Sequence, residues 1–367
     1  MKVRKKILVL GGTGAMGVYL VNILKNNCDV YVTTRQNKKG SGSIEYIKGN
    51  AHDISFLENI VKMHNYDAIV DFMYYELDEF RNKVSLFLKS TKHYFFISSS
   101  RVYAESATLL TESSPRLLDI SKDCRFLSTN DYSLVKAREE NVLYESKSRN
   151  WTIIRPYMTF DSYRMDLGHY PKELWLYRAI KGKKIIFPLD VANKTTTLTL
   201  GHDVAIRIAS LIENGAGKGE TYHITNDRSY RWSDVIQMYS NALAKHGISL
   251  DVKYVDKNPL TFEYIYQYDR TFNRTFDNTK IQKATGLDMY SDLEGSIDEC
   301  VDEFIKNPRF KYVDWARQAL WDKMTNEVTD SSNIKSAKSK ITYFLFRYFI
   351  SFPCVHNMYM KFFKFKK

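Results

Sequence analysis

The sequence predicts an α/β fold with a doubly wound parallel sheet, a smaller C-terminal α/β region and a basic, aromatic, helical tail. Strand-like and helix-like segments alternate through the first 160 residues. A glycine-rich turn joins the first strand to the first helix, and the end of the chain is basic without acidic residues. Because strands that alternate with helices form parallel sheets, we expect the sheet region at 1–160. The change to short, mixed elements and the basic end of the chain then indicate two further regions, at 161–324 and 325–367.

The expected elements follow from apolar runs and helical periodicity. In the first region these patterns predict strands at 6–10, 30–33, 44–47, 68–72, 94–98 and 152–155. They predict helices at 18–25, 54–62, 80–90 and 131–145. Beyond Pro156 the elements are short and mixed, with helices expected at 172–181, 203–213, 232–245 and 292–306. The polar, serine-rich segment 325–339 is typical of a linker.

The glycine turn is the most informative local feature. Gly11, Gly14 and Gly17 follow the apolar run 7–10 and precede the first predicted helix. One glycine permits the tight bend, a second lets backbone N–H groups approach a pyrophosphate, and a third lets the helix pack close to the strand. The helix N-terminus adds unpaired N–H groups and the positive end of its dipole. The turn predicts dinucleotide binding, and the alternative is a βα turn without a ligand.

The cysteines and the start of the sequence indicate the cellular compartment in which we expect the protein. Cys28, Cys124, Cys300 and Cys354 form no CxxC pair and no metal-binding spacing, so we expect reduced thiols and no metal site. No signal-peptide pattern precedes the first strand. We therefore expect a cytoplasmic protein, either free or bound peripherally to the inner face of the membrane.

The net charge of +12 is concentrated in one segment. Eight basic and no acidic residues lie in 331–367, and subtracting them leaves +4 for the rest of the chain, so we expect no nucleic-acid partner. The aromatic run 341–350 is too short for a bilayer span, which takes about 20 apolar residues. Basic and aromatic residues at 341–367 favour peripheral contact with an anionic membrane. A helix packed on the body or on a second subunit is an equal alternative.

Two groups of polar residues indicate proton transfer. Tyr132 and Lys136 lie four residues apart, on one face of a predicted helix. A lysine ammonium near a phenol stabilises the phenolate, which lets a tyrosine act as an acid and base. Ser98, Ser99 and Ser100 end the fifth predicted strand, where a parallel sheet presents residues to its ligand crevice. An exposed helix pair and turn-capping serines are the alternatives.

Taken in chain order, these features resemble the extended short-chain dehydrogenases/reductases of the NAD-dependent epimerase/dehydratase family. The similarity covers about residues 5–300. The matching pieces are GGTGAMG (11–17), GNAHD (49–53), SSSRVY (98–103), YSLVK (132–136) and Arg155-Pro156, with weaker matches at 201–205 and 219–224. The resemblance implies a Rossmann dinucleotide-binding domain at 1–160 and a substrate-binding region at 161–324.

The resemblance also implies roles for individual residues. Ser99, Tyr132 and Lys136 would form the catalytic triad, with Tyr132 as general acid/base and Lys136 bonded to the nicotinamide ribose. The implied cofactor-binding residues are Gly11, Thr13, Gly14, Ala15, Met16, Gly17, Thr34, Arg35, Asn50, Ala51, Tyr132 and Lys136. Candidates to clamp a substrate diphosphate, or else to form local ion pairs, are Arg228, Arg231, Arg270 and Arg274.

Departures from the family pattern refine the expectations. The second strand ends in Thr34-Arg35 instead of an acidic residue, which suits a 2′-phosphate and slightly favours NADP over NAD. Ser100-Arg101 replaces the Asp-Glu pair of the sugar dehydratases, so 4,6-dehydration is not expected. Bulky residues at 72–75 replace small alanines at the end of the fourth strand.

The implied activity is reversible hydride transfer at a sugar carbinol. We rank first an NAD(P)-dependent epimerase that acts on a sugar nucleotide through a transient keto intermediate, with an NADPH-dependent keto-sugar reductase as the alternative. A catalytically silent relative that acts as a binding protein is the alternative from another class. A lipid-linked sugar becomes a candidate substrate if the tail contacts a membrane, and a homodimer is one expected assembly.

Overall fold

A computed structural model describes residues 4–256 and 264–350. Its strands are β1 (Lys5–Leu10), β2 (Cys28–Thr34), β3 (Ile44–Lys48), β4 (Ala68–Asp71), β5 (Tyr94–Ile97), β6 (Trp151–Pro156), β7 (Thr159–Phe160), β8 (Ile185–Pro188), β9 (Thr195–Thr196), β10 (Thr199–Leu200), β11 (Glu220–Ile224), β12 (Tyr230–Arg231) and β13 (Val252–Val255). Its α-helices are α1 (Gly17–Leu24), α2 (Ile54–Met63), α3 (Leu77–Ser90), α4 (Leu117–Ile120), α5 (Cys124–Leu127), α6 (Tyr132–Tyr144), α7 (Trp175–Ile180), α8 (Leu189–Ala192), α9 (Gly201–Asn214), α10 (Trp232–Ala244), α11 (Thr279–Thr285), α12 (Leu293–Lys306), α13 (Trp315–Thr325) and α14 (Ala337–Tyr348).

The predicted strands and helices are all present, with ends that differ by three residues or fewer. The elements that were not predicted are short strands and helices beyond β6, together with α4 and α5, and they include β11, which has a short, half-polar sequence, and α13. The predicted linker 325–339 is wrong at its end, because α14 begins at Ala337. The helix starts there because the Ser336 side chain accepts a hydrogen bond from the Ser339 N–H at 3.0 Å, which caps its first turn.

Seven parallel strands form the main sheet, in the order β11-β6-β5-β4-β1-β2-β3. In β1, Ile7 pairs with Val30 of β2 on one side and with Ala68 of β4 on the other. The chain order reverses between β1 and β4, which makes this the switch point of a doubly wound sheet. Ligands of such sheets bind outside the carboxyl ends of the strands at this point.

Alternating side chains of the strands build a core on each face of the sheet. Ile7 and Val9 of β1 pack on one face with α1 and α9, and Leu8 and Leu10 pack on the other with α2 and α3. All four of these side chains are fully buried. A parallel sheet covered on both faces explains why its strands read as continuous apolar runs.

The chain divides into two compact units. The first comprises Met1–Tyr163, Lys194–Arg231 and Phe262–Ser296, and the second comprises Arg164–Asn193, Trp232–Thr261 and Ile297–Lys367. The expected boundary at residue 160 is corrected, because the first unit takes β11 from beyond it. This strand pairs with β6 and completes the sheet.

A buried carboxylate organises the second unit. Asp322 of α13 accepts hydrogen bonds from Arg178 and Lys183, each at 2.7 Å, and from the Tyr343 hydroxyl at 2.6 Å. Because Tyr343 belongs to α14, this bond fixes α14 against α13. No helix within the described ranges is both long and apolar enough to cross a membrane.

A buried histidine makes the stability of the first unit depend on pH. His93 is 4% exposed, its Nε2 lies 2.7 Å from the Thr152 hydroxyl, and burial lowers its pKa from 6.5 to about 3. Between these values the unfolded chain binds a proton that the folded chain does not, so the stability falls as the pH falls. We expect His93 to contribute about 1.4 kcal/mol of lost stability per pH unit below 6.5.

Urea unfolding at pH 7.5, 5.5 and 4.5 measures this contribution. His93→Gln should show a smaller loss of unfolding free energy between the first and last pH than the unchanged protein. His202→Gln, at a more exposed histidine, is the matched control and should keep the full slope. Identical slopes for the unchanged protein and His93→Gln would contradict the assignment.

Candidate active site

The glycine turn lies between β1 and α1, at the switch point of the sheet. Gly11 has a positive φ of 69°, which favours glycine. A Cβ on Gly17 would lie 2.6 Å from the Cα of Gly12, so glycine is required for α1 to come this close. A Cβ on Gly14 would meet only the Gly11 carbonyl oxygen, at 3.7 Å. The turn thus combines close helix packing with an open approach to its backbone, the two features that dinucleotide binding needs.

A cavity of about 200 Å³ lies beside this turn. Its lining residues are Gly11, Thr13, Thr33, Thr34, Arg35, Gly49, Asn50, Ala51, His52 and Met73. The structure therefore brings together six of the residues predicted to bind a cofactor, namely Gly11, Thr13, Thr34, Arg35, Asn50 and Ala51. Gly14, Ala15, Met16 and Gly17 continue the turn into the start of α1. A glycine turn, a helix N-terminus and polar side chains around one cavity are a set of groups that fits a nucleotide.

A lysine that the sequence pattern did not reveal holds the predicted adenine-binding loop. Lys83 of α3 is 2% exposed, and its ammonium donates to the carbonyl oxygens of Ala51 at 3.0 Å and His52 at 2.8 Å. It also pairs with Glu79 and lies 4.5 Å from the centroid of the Tyr75 ring. In the sequence, Glu79 and Lys83 look like an ordinary i,i+4 pair on a helix surface. The burial of Lys83 shows instead that its ammonium positions the loop.

The structure separates the three serines after β5. Ser98 donates to a Glu140 carboxylate oxygen at 2.6 Å, and Ser100 donates to a main-chain oxygen of β6 at 2.8 Å. Both hydroxyls are therefore used by the fold. Ser99 instead accepts from the Arg101 N–H at 3.2 Å, which caps a 3-10 turn and leaves its hydroxyl proton available. This is the serine that the sequence predicted as catalytic.

Tyr132 is the first residue of α6, whose N-terminus is capped by the Asp131 side chain. Its ring stacks on Tyr74, with centroids 5.8 Å apart and an interplanar angle of 26°. The Arg101 guanidinium carbon lies 5.2 Å from the centroid of the same ring. Among residues 4–256 and 264–350 its hydroxyl has no hydrogen-bond partner. Ring contacts thus hold the side chain while the hydroxyl stays free for a ligand.

The bulky segment after β4 is accommodated by three different contacts. The Tyr75 hydroxyl donates to Asp71 at 3.3 Å, Met73 lines the cavity, and Tyr74 stacks on Tyr132. Asp71 is fully buried, and this burial raises its pKa to about 6. The sequence indicated Tyr74 only as one of the bulky residues at the end of the fourth strand. Its stacking on Tyr132 was not predicted, because this contact is with a helix that lies far along the chain.

Lys136 has a partner that the sequence analysis did not foresee. Its ammonium lies 3.0 Å from a Glu139 carboxylate oxygen, and the two side chains are 2% and 0% exposed. The same nitrogen is 4.6 Å from the centroid of the Phe96 ring and 5.7 Å from that of Tyr74. Burial raises the pKa of Glu139 to about 7, although the nearby ammonium opposes the shift. The contact of Lys136 with a nicotinamide ribose stays a prediction.

Two of the four arginines that were candidates for a diphosphate clamp or for local ion pairs belong to the core. Arg274 is fully buried and donates to Asp269 at 2.9 Å and to the Tyr103 carbonyl oxygen at 3.0 Å. Arg270 also pairs with Asp269. These two side chains are engaged within the fold.

Comparison with known proteins agrees with this geometry. Residues 7–160 match the NAD dependent epimerase/dehydratase family. Over this segment, which is less than half of the chain, the sequence is similar to that family. The matched residues include the glycine turn, the serines after β5 and the Tyr132–Lys136 pair, and the resemblance inferred from the sequence is confirmed.

Solved structures of nucleotide-sugar epimerases and dehydratases have a fold similar to that of this chain. UDP-glucose 4-epimerase from Bifidobacterium longum, in complex with NAD+ and UDP, has a TM-score of 0.63 and 17% identity over 83% of this chain and 99% of that one. dTDP-glucose 4,6-dehydratase from Bacillus anthracis, in complex with NAD, has a TM-score of 0.64 and 17% identity over 83% and 97%. The predicted Rossmann-like fold is confirmed.

A curated relative points to a different activity. The chloroplast stem-loop binding protein of 41 kDa b from Arabidopsis thaliana is 25% identical over 280 residues, which cover 71% of this chain and 68% of the relative. This relative is named for binding and not for an enzymatic activity.

Proposed function

We propose that the protein is an NAD(P)-dependent epimerase that acts on a nucleotide-activated sugar through a transient keto intermediate. The observation that carries the proposal is the hydroxyl of Tyr132, which has no hydrogen-bond partner within the described part of the chain and whose ring is held beside the turn capped by Ser99. The family match at 7–160 supports a role in epimerase or dehydratase chemistry. The dinucleotide would be held by the glycine turn and by the residues that line the cavity beside it.

The proposed chemistry assigns one role to each side chain. Tyr132 accepts the proton of the sugar hydroxyl, and the Ser99 hydroxyl donates a hydrogen bond to the same oxygen. The bound nicotinamide supplies reversible hydride transfer. The keto sugar then turns its other face toward the nicotinamide, and the hydride returns to that face. Tyr132 returns the proton to the oxygen, so that the configuration at the carbon inverts. Lys136 contributes positive charge near Tyr132, and Glu139 holds its ammonium in place.

The substrate class is part of the proposal. The Bifidobacterium longum epimerase structure contains UDP, which supports a sugar nucleotide for a chain of the same fold. We propose that the protein is cytoplasmic and that segment 341–367 contacts the inner face of a membrane. A lipid-linked sugar would be presented at that surface, and it is therefore the second candidate substrate. Residues 351–367 of that segment lie outside the described residues. Assembly into a homodimer through α6 also stays a proposal.

A keto-sugar reductase would use the same residues, and the fate of the hydride separates the two activities. A sugar nucleotide deuterated at the reacting carbon keeps its deuterium through epimerisation, because the hydride returns to the same carbon. We expect such retention, together with NAD or NADP in the mass spectrum of cofactor released from the purified protein. Protein purified empty, in which a keto sugar is reduced only by hydride from added NADPH, would favour the reductase.

Coenzyme choice is the third testable point. The two solved structures contain NAD, whereas Arg35 beside Thr34 at the cavity favours NADP. We expect Arg35→Ala to lower NADP+ affinity at least tenfold by calorimetry, because one charge-assisted bond to a phosphate contributes about 1.5–3 kcal/mol. NAD+ affinity should change by less than about twofold. Lys39→Ala, at an exposed lysine of the following loop, is the control, and equal losses for both nucleotides would refute the preference.

A binding protein without catalysis is the second candidate, and the stem-loop binding relative favours it. The free Tyr132 hydroxyl and the Ser99–Tyr132–Lys136 set support the enzyme. Tight binding of a stem-loop RNA, combined with no turnover of any nucleotide sugar, would replace the proposal with this alternative.

A further inference from the structure

Helix α14 has two apolar faces that differ in exposure. On one face Tyr343 and Phe346 are 6% and 3% exposed and pack within the second unit. On the other, Ile341, Phe344 and Tyr348 are 61%, 53% and 49% exposed. At about 100° per residue, these three side chains fall within a sector of about 60°, opposite the buried pair. We call these three residues the outward stripe.

The orientation of the outward stripe is fixed by polar bonds on the inner side. The Tyr343 hydroxyl donates to Asp322 at 2.6 Å and accepts from the Thr329 N–H at 2.7 Å. Asp322 is itself held by Arg178 and Lys183. The helix cannot rotate to bury its outward stripe without breaking this buried network, so the aromatic side chains stay in contact with solvent.

Basic residues flank the outward stripe on both sides. At the same angular spacing, Lys338 lies at one edge and Lys340 and Arg347 at the other, and no acidic residue occurs between 331 and 350. The preceding carboxylates are already engaged: Glu327 pairs with Arg178 at 2.7 Å, and Asp330 accepts from the Ser332 N–H at 2.9 Å. Positive charge around an aromatic strip complements a surface that is apolar in its interior and negatively charged at its boundary.

We infer that the outward stripe of α14 binds an anionic lipid bilayer. A helix in the plane of the membrane places its apolar residues at the boundary between headgroups and acyl chains and its basic residues beside lipid phosphates. Nucleic acid would use the same charges but would not need Ile341. This inference gives the proposed membrane contact a specific surface, and it does not depend on the catalytic assignment, because every residue involved belongs to the second unit.

Co-sedimentation of the full chain with vesicles tests the inference. We expect binding to vesicles of phosphatidylglycerol and phosphatidylcholine in equal parts, little binding to pure phosphatidylcholine, and weaker binding at 0.5 M salt, where charge interactions are screened. Ile341→Ser combined with Phe344→Ser should weaken binding to anionic vesicles at least tenfold. Lys338→Glu combined with Lys340→Glu should have a similar effect.

Leu109→Ser is the matched control, because Leu109 is 56% exposed but belongs to the first unit. It should bind vesicles as the unchanged protein does. Circular dichroism and turnover of a soluble sugar nucleotide should be the same for all variants, which separates failure of this inference from failure of the proposed activity. Absence of vesicle binding by the full chain would overturn the inference. So would binding that survives both double substitutions, or binding of stem-loop RNA in place of vesicles.

Discussion

Tyr132→Phe is expected to lower turnover by about a thousandfold, because general acid/base groups contribute about 10²–10⁴ to the rate. The substitution removes only the hydroxyl. The contacts that hold the side chain, with Tyr74 and with the Arg101 guanidinium, are made by the ring and persist in phenylalanine. Cofactor affinity should therefore change by less than about twofold. Steady-state kinetics with a sugar nucleotide, together with calorimetry of NAD+ and NADP+ binding, measure the two effects.

Tyr74→Phe is the matched control for this prediction. It removes a phenol hydroxyl from the neighbouring ring, where that hydroxyl donates to Glu76 at 3.2 Å. Turnover should remain within about threefold of that of the unchanged protein. If Tyr132→Phe retained full turnover, Tyr132 would have no role in proton transfer. Equal losses in both variants would point to packing of the ring pair as the cause.

Gly14→Ala and Gly17→Ala are expected to fail in different ways although the chemical change is the same. At Gly14 the new Cβ would meet only a carbonyl oxygen at 3.7 Å, so the fold should keep its thermal stability. We expect a loss of cofactor affinity of at least tenfold, because a methyl group on this turn hinders close approach of a pyrophosphate. At Gly17 the Cβ would lie 2.6 Å from the Gly12 Cα, and we expect about 3 kcal/mol of lost stability.

Thermal unfolding and NAD+ or NADP+ titration of each variant separate the two effects. Gly14→Ala should show an unchanged melting temperature and weak binding, and Gly17→Ala a lowered melting temperature. A Gly14→Ala protein that binds both nucleotides as tightly as the unchanged chain would mean that the phosphates do not contact this turn.

Positions that depend on local spacing were predicted from the sequence. The alternation of strands and helices indicated the sheet, and the glycine turn indicated the cavity, because each pattern is set by residues close together in the chain. The strand end indicated Ser98, Ser99 and Ser100 together, and the resemblance to the epimerase/dehydratase family selected Ser99 among them. The structure supports that choice, since Ser98 and Ser100 are bonded within the fold.

Contacts of side chains that are buried by elements distant in the sequence were not predicted. Lys136 was expected to face a ribose, yet its ammonium contacts Glu139 within a buried cluster close to Tyr74. Lys83 was not predicted to support the loop at Ala51. Arg274 was a candidate either for a diphosphate clamp or for a local ion pair, and it is buried with Asp269. In each case burial decides the partner, and burial depends on how elements far apart in the sequence pack.

By itself the sequence determined the fold class, the glycine turn and the order of the Ser99, Tyr132 and Lys136 positions. These are consequences of backbone periodicity and of the conformations that glycine permits, both of which act over a few residues. Only the tertiary structure decided which serine hydroxyl is free, which carboxylate holds Lys136 and which face of α14 meets solvent. Those outcomes depend on desolvation and hydrogen bonding between segments that come together only when the chain folds.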